Sequence, residues 1–107
     1  MSDDSAPIRA LLFDDESLAR LDVFVVALGE SIDAIQDAEH LGHVEEVAKR
    51  CGDLAREAAR LGLPALAVAA ERVVASCRSG ASAATRDEIV VLTEVVRRVR
   101  LGHRGSA

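Results

Sequence analysis

The sequence predicts an all-α protein, an antiparallel up-down four-helix bundle, and three observations predict it. Apolar residues recur at alternating steps of three and four along four separate segments, the spacing that lines one face of an α-helix. The segments are joined by short connections around Gly42, Gly62 and Gly80, which send each helix back along its predecessor. Half of the 107 residues are hydrophobic, yet Phe13 and Phe24 are the only aromatics, so the core has to be built of Leu, Val, Ile and Ala, a set suited to closely packed helices.

The first seven residues, MSDDSAP, are small and polar and close on Pro7, which reads as a loose tail over residues 1–10. Ile8, Leu11, Leu12 and Phe13 form an apolar patch expected to dock on the end of the bundle. From Asp15 to about residue 38, Leu18, Leu21, Val25, Leu28, Ile32 and Ile35 make the stripe of the first helix, with Asp14, Asp15 and Glu16 suited to the positive end of its dipole. Gly29 sits in phase and implies a slight bend. The second helix begins at Val44 and carries Val44, Val47, Cys51, Leu54, Ala58 and Leu61 as its stripe. Gly62 ends it as a C′ glycine, and Pro64 opens the third helix, where its missing N–H costs nothing.

That third helix, to Ser79, is apolar almost all round and is therefore central or covered by another molecule. Ser79 to Ala84 reads as a loop, and Thr85 with Glu88 as a capping box that starts the fourth helix. Ile89 to Leu92 has strand-like propensity, but Ile89, Leu92, Val96 and Val99 keep helical period. The helix should end near Leu101 and Gly102, leaving 102–107 as a tail and 11–101 as the single domain.

The formal charge of −5 disfavours nonspecific attraction to nucleic acid or anionic lipid, and the lack of Trp and Tyr removes the usual stacking platform for bases. Acidic residues crowd the first half, while Arg97, Arg98, Arg100 and Arg104 crowd the end. No run approaches the length needed to span a bilayer. Cys51 and Cys77 both fall in core phase and no secretory leader precedes Pro7, so reduced thiols in a cytoplasmic protein are expected.

The second helix holds an oddity. Gly52 lies mid-helix with no turn around it, at a cost of about 1 kcal/mol relative to alanine. It falls at the edge of the apolar arc, and with Ala48, Ala55 and Ala59 it makes a shallow strip bordered by Glu45, Lys49 and Arg56, which a backbone could approach closely. Two stretches, LLFDDESLARLDVFVVALGESIDAI and VEEVAKRCGDLAREAARLGLPALAVAAERV, resemble the opening helix and the central helix pair of histidine-containing phosphotransfer (HPt) domains. These are four-helix bundles that pass phosphoryl groups between receiver domains of two-component systems. The resemblance covers about residues 11 to 100. Anchored on Leu54 and Leu61-Gly62, the family's His-x-Leu-Lys-Gly motif places its phosphoryl-accepting His on Gly52, its Lys on Ala55 and its Gly on Arg56.

Transfer through an imidazole needs the nucleophilic nitrogen and a cation to offset phosphoryl charge, and neither residue is present. The resemblance thus implies a noncatalytic HPt-like module of bacterial two-component signalling, with no cofactor or metal. It would bind a response-regulator receiver domain or a histidine kinase through Ala48, Lys49, Gly52, Ala55, Arg56 and Ala59. A register slip would put Cys51 at the acceptor position, but Cys51 belongs to the core stripe. The strip is equally readable as close helix packing inside the bundle. A structural homo-oligomer, burying the third helix around Val68 and Ala75, is the alternative function.

Glu39, His40 and His43, with His103, suggest a metal site, although loop and cap roles are commoner for such residues. His43 as a substitute acceptor would sit roughly 13 Å from Gly52 along the axis. The basic RRVRLGHRG end could bind an acidic partner, or be a solvated last turn suited to the dipole.

Overall fold

A computed structural model describes residues 6–11 and 14–105. Four helices follow in order, α1 (Asp15–His40), α2 (Val44–Arg60), α3 (Pro64–Ser79) and α4 (Ser82–Gly105). Each helix packs on its chain neighbours and α4 closes the ring onto α1, while the backbones of diagonal pairs stay farther apart. The connections are too short for anything but reversal of direction, so the bundle is the up-down-up-down arrangement its sequence predicts. Among the described residues there is no strand, and no helix is long and apolar enough to cross a membrane.

The stripes are buried apart from Leu18 and, in the first turn of α2, Val44, which is 49% exposed. Leu28, Ile35, Val47, Cys51, Leu61, Leu63, Leu66, Val73, Leu92 and Val99 are all essentially inaccessible. Asp14 caps α1, its carboxylate accepting from the Ser17 amide at 2.8 Å. α2 ends in a left-handed turn at Gly62 (φ +75°), with the Leu63 amide donating to the Ala58 carbonyl at 2.9 Å, and Leu63 itself seals the core. The β-branched run at 89–92 is helical throughout.

The antiparallel seam between α1 and α4 is marked by polar rungs. Asp22 Oδ1 meets His103 Nε2 at 2.9 Å, the Arg100 guanidinium lies over Gly29, Gln36 Nε2 donates to Thr93 Oγ1 at 3.0 Å, and Arg86 pairs with Glu39 at 3.5 Å.

Four expectations are corrected. α4 begins at Ser82, one turn before the Thr85 box. Thr85 is buried and its hydroxyl donates back to the Ala81 carbonyl at 3.2 Å, so burying its methyl outweighs its use as a cap. α4 also continues through Gly102 to Gly105, so residues 102–105 are helix instead of tail.

The third correction concerns the N-terminal tail over its described part, residues 1–5 lying outside the described residues. Residues 6–11 form a strap across the bundle end, where the Ile8 amide donates to the Arg98 carbonyl and the Leu11 amide to the Gly62 carbonyl, both at 2.9 Å, and Arg98 Nε donates to the Ala6 carbonyl at 2.7 Å. Two glycines admit the strap: a Cβ at Gly102 would stand 2.0 Å from the Ile8 carbonyl oxygen, and one at Gly62 would stand 2.9 Å from the Leu11 nitrogen. Ile8 thus docks as anticipated, whereas Leu11 docks through its backbone with its side chain 66% exposed; Leu12 and Phe13 lie outside the described residues. Fourth, Leu18 is in phase with the α1 core but 42% exposed, because it lines an open hollow of about 430 Å³ beneath the strap with Leu21, Val25 and Val99.

Gly102→Ala should therefore destabilise the protein by about 1–3 kcal/mol through overpacking, although alanine is the better helix former. Deleting residues 1–11 should convert the same substitution to a neutral or stabilising one in urea melts. A Gly102→Ala penalty that survives the deletion would refute the strap as its cause. A second expectation concerns acid. Hydrogen bonds from the Ser17 amide and hydroxyl hold the Asp14 carboxyl below its ordinary value. Its stabilising effect is full above the ordinary carboxylate pKa and is lost as pH falls through the lowered folded-state value. Asp14→Asn, neutral at every pH, should flatten the acid limb of stability against pH.

Candidate functional site

The α2 strip is built from the helical wheel outward. Val47, Cys51, Leu54 and Ala58 point into the core, while Arg50, Asp53 and Glu57 turn toward α1, where they line a shallow groove with Phe24 and Ser31. The small residues occupy the opposite flank, toward α3. Ala48 and Gly52 are half-buried, Lys49, Arg56 and Ala59 are exposed, and Ala55 is buried at 4%. The strip is therefore divided. Three residues beyond Gly52 the helix has turned about 60° back toward the core, which removes Ala55 from any docking face and seats it in the bundle. The close-packing reading holds for Ala55, whereas Ala48, Lys49, Gly52, Arg56 and Ala59 remain accessible.

Gly52 is not required by the packing of this chain. A Cβ built there meets only the tip of Arg56, 3.7 Å from Nη1, an ordinary contact with a flexible side chain. This contrasts with Gly62 and Gly102, where backbone already fills the space. Around Gly52 two cations share one acid. Asp53 hydrogen-bonds Arg56 and lies 3.9 Å from Lys49, solvent-exposed pairs that each contribute little. The result is an open, weakly basic surface at Gly52.

No imidazole reaches it. His43 is the N-cap residue of α2 and makes no capping bond through its side chain, and His40 ends α1. His103 pairs with Asp22 at the opposite end of the α1–α4 seam from Glu39, which is held by Arg86. The structure therefore does not bring Glu39, His40, His43 and His103 together. Among the described residues no three His, Cys, Asp or Glu side chains are grouped to hold a metal ion.

Cys51 is fully buried, and desolvation, with Cys77 as a smaller contributor, pushes its thiol up to about 12. Burial raises Cys77 as well. A neutral thiol in the core is neither nucleophile nor docking surface, so of the two positions only Gly52 is accessible. No protein-family model, no curated protein and no solved structure matches this chain.

The sequence reading anticipated that Ile8 docks but missed the backbone pairing of the strap and the hollow beneath it. The available signal was Gly102, a glycine in core phase, which is a berth for backbone more than a stop.

Gly52→Ala should stabilise the protein by about 1 kcal/mol, the full helix-propensity difference, as read from the urea midpoint. A loss of stability would mean that the position is packed.

Proposed function

We propose that this chain is a noncatalytic HPt-like interaction module, which binds a receiver domain or a histidine kinase of a bacterial two-component system without accepting a phosphoryl group. The observation that carries the reading is Gly52. It stands half-exposed and unhindered on α2, at the position where the resemblance puts the acceptor imidazole, and nothing in the bundle needs a glycine there. The up-down topology supports the same frame. Docking would use Ala48, Lys49, Gly52, Arg56 and Ala59, with Ala55 as the buried floor. In this role the protein competes with, or tethers, the partners of a true phosphotransfer domain, and it works in the cytoplasm.

The alternative, oligomerisation through α3, has weaker support. Val68 is 51% exposed, but the exposed face around it offers only alanines interrupted by Glu71 and Arg72. That is a poor core for a stable interface.

The test uses purified receiver and kinase domains from the source genome, titrated against wild type and Gly52→Arg. Wild type should bind at least one of them, and the bulky cation should weaken that complex by tenfold or more (about 1.4 kcal/mol) while leaving the circular dichroism unchanged. Incubation with a phosphorylated receiver should leave no label on this chain. Stable label would overturn the noncatalytic reading, and binding indifferent to Gly52→Arg would overturn the site.

A further inference from the structure

The outer flanks of α1 and α4 carry charges that the bundle itself does not pair. On α1, Glu30 and Asp33 are exposed and make no ion pair among the described residues, and Val26 beside them is 74% exposed. On α4, Arg100 has no acidic partner among the described residues, Arg97 is held only by Glu94 of its own helix, and Leu101 is 37% exposed. Between the helices runs a groove of about 460 Å³ floored by Ile32 and Val96. On α2, by contrast, most charges are paired within the helix, as Glu46–Arg50, Lys49–Asp53 and Arg60–Glu57.

The levels of these charges are fixed by the rungs of the seam. Gly29 lies opposite Arg100 and Gln36 opposite Thr93, which sets Asp33 level with Arg97 and Glu30 level with Arg100. A two-fold axis parallel to the helices keeps every level while exchanging the helices, so α1 of one copy would face α4 of the other. It thereby brings Asp33 onto Arg97 of a second copy, Glu30 onto Arg100, and Val26 near Leu101, and each contact is made twice. This is the self-complementarity that an isologous interface demands. Opposite charges at matched levels also overcome locally the repulsion between two chains of net charge −5.

We propose that the α1–α4 face is a homodimer interface, whose occupant is a second copy of this chain related by a two-fold axis along the bundle. The face is distinct from the α2 strip, since α2 and α4 are diagonal in the ring, so a dimer would display two open strips.

Sedimentation equilibrium of the full chain, from micromolar to millimolar and at low and high salt, provides the test, with Asp33→Arg and Arg97→Asp as variants. Both side chains are exposed, so the monomer fold should persist and is checked by circular dichroism. Wild type should dimerise, more weakly at high salt. Each single reversal should raise the dissociation constant about tenfold or more by setting like charges opposite one another. An equimolar mixture of the two variants should recover a one-to-one dimer. In that heterodimer one of the two symmetry-related contacts keeps the wild-type pair and the other has its two charges exchanged, so opposite signs meet at both. A wild type that stays monomeric to millimolar concentration would overturn the proposal. So would a dimer that neither reversal weakens, or a mixture that fails to recover.

Discussion

With Phe24 only half-buried beside α2, the interior is filled by leucine, isoleucine, valine, alanine and two thiols. Such side chains are short, and native packing density leaves few voids. Four helices can meet that density only by approaching closely wherever small residues permit. Ala55 and Ala58 on α2 and Ala67, Ala69 and Ala70 on α3 are all buried, and they allow the tight central hairpin on which the rest is hung. The position of Gly52 follows from this. Once Ala55 is drawn into the bundle, the next residues round the helix stand at its lip, half in solvent. The core chemistry thus decides which part of α2 a partner can reach.

The seam of α1 with α4 works differently. It combines buried apolar residues with polar rungs from Asp22–His103 to Glu39–Arg86. Surface pairs contribute little to stability, but they fix register, since each rung constrains the sliding of one long helix along the other. The strap adds a further constraint at one end, tying the segment before α1 to the α2–α3 turn and to α4 through backbone hydrogen bonds. Removing either constraint would loosen α1 before it loosened the α2–α3 hairpin, the expected order for an element with fewer buried contacts.

The stripes made the four helices readable, because period depends only on local spacing. What escaped was what neighbours in space decide. Thr85 with Glu88 carries a cap signal, and the signal is real as chemistry. Yet Ser82-Ala83-Ala84 can continue the helix backwards and so place the Thr85 methyl in the core, and no local pattern reports that gain. Glycine was the least legible residue. Gly62 combines a left-handed turn with a close backbone approach, Gly102 makes a berth with no turn at all, and Gly52 does neither. The turn at Gly62 was legible, but the close approaches at Gly62 and Gly102 were not, since what reveals them is the atom standing where a Cβ would be. The strip was half legible for the same reason: its wheel positions were right, but the depth of Ala55 depends on how near α3 comes.

That depth bears on the proposed loss of phosphotransfer. The Cβ of a histidine placed at Gly52 would meet only the flexible tip of Arg56, so nothing in the bundle obstructs the attachment of a side chain there. The supporting lysine does not have that freedom. Position 55 is 4% exposed, and a lysine there would have to thread its stem past a close helix neighbour to reach water, or leave its charge desolvated, at a cost of several kcal/mol. Arg56, one residue on, is already engaged by Asp53. A histidine at position 52 would therefore lack a cation at position 55 and have beside it only Lys49 and Arg56, which share Asp53. On the proposed reading, the packing of α2 on α3 holds this chain in its noncatalytic state more firmly than the absence of one histidine does.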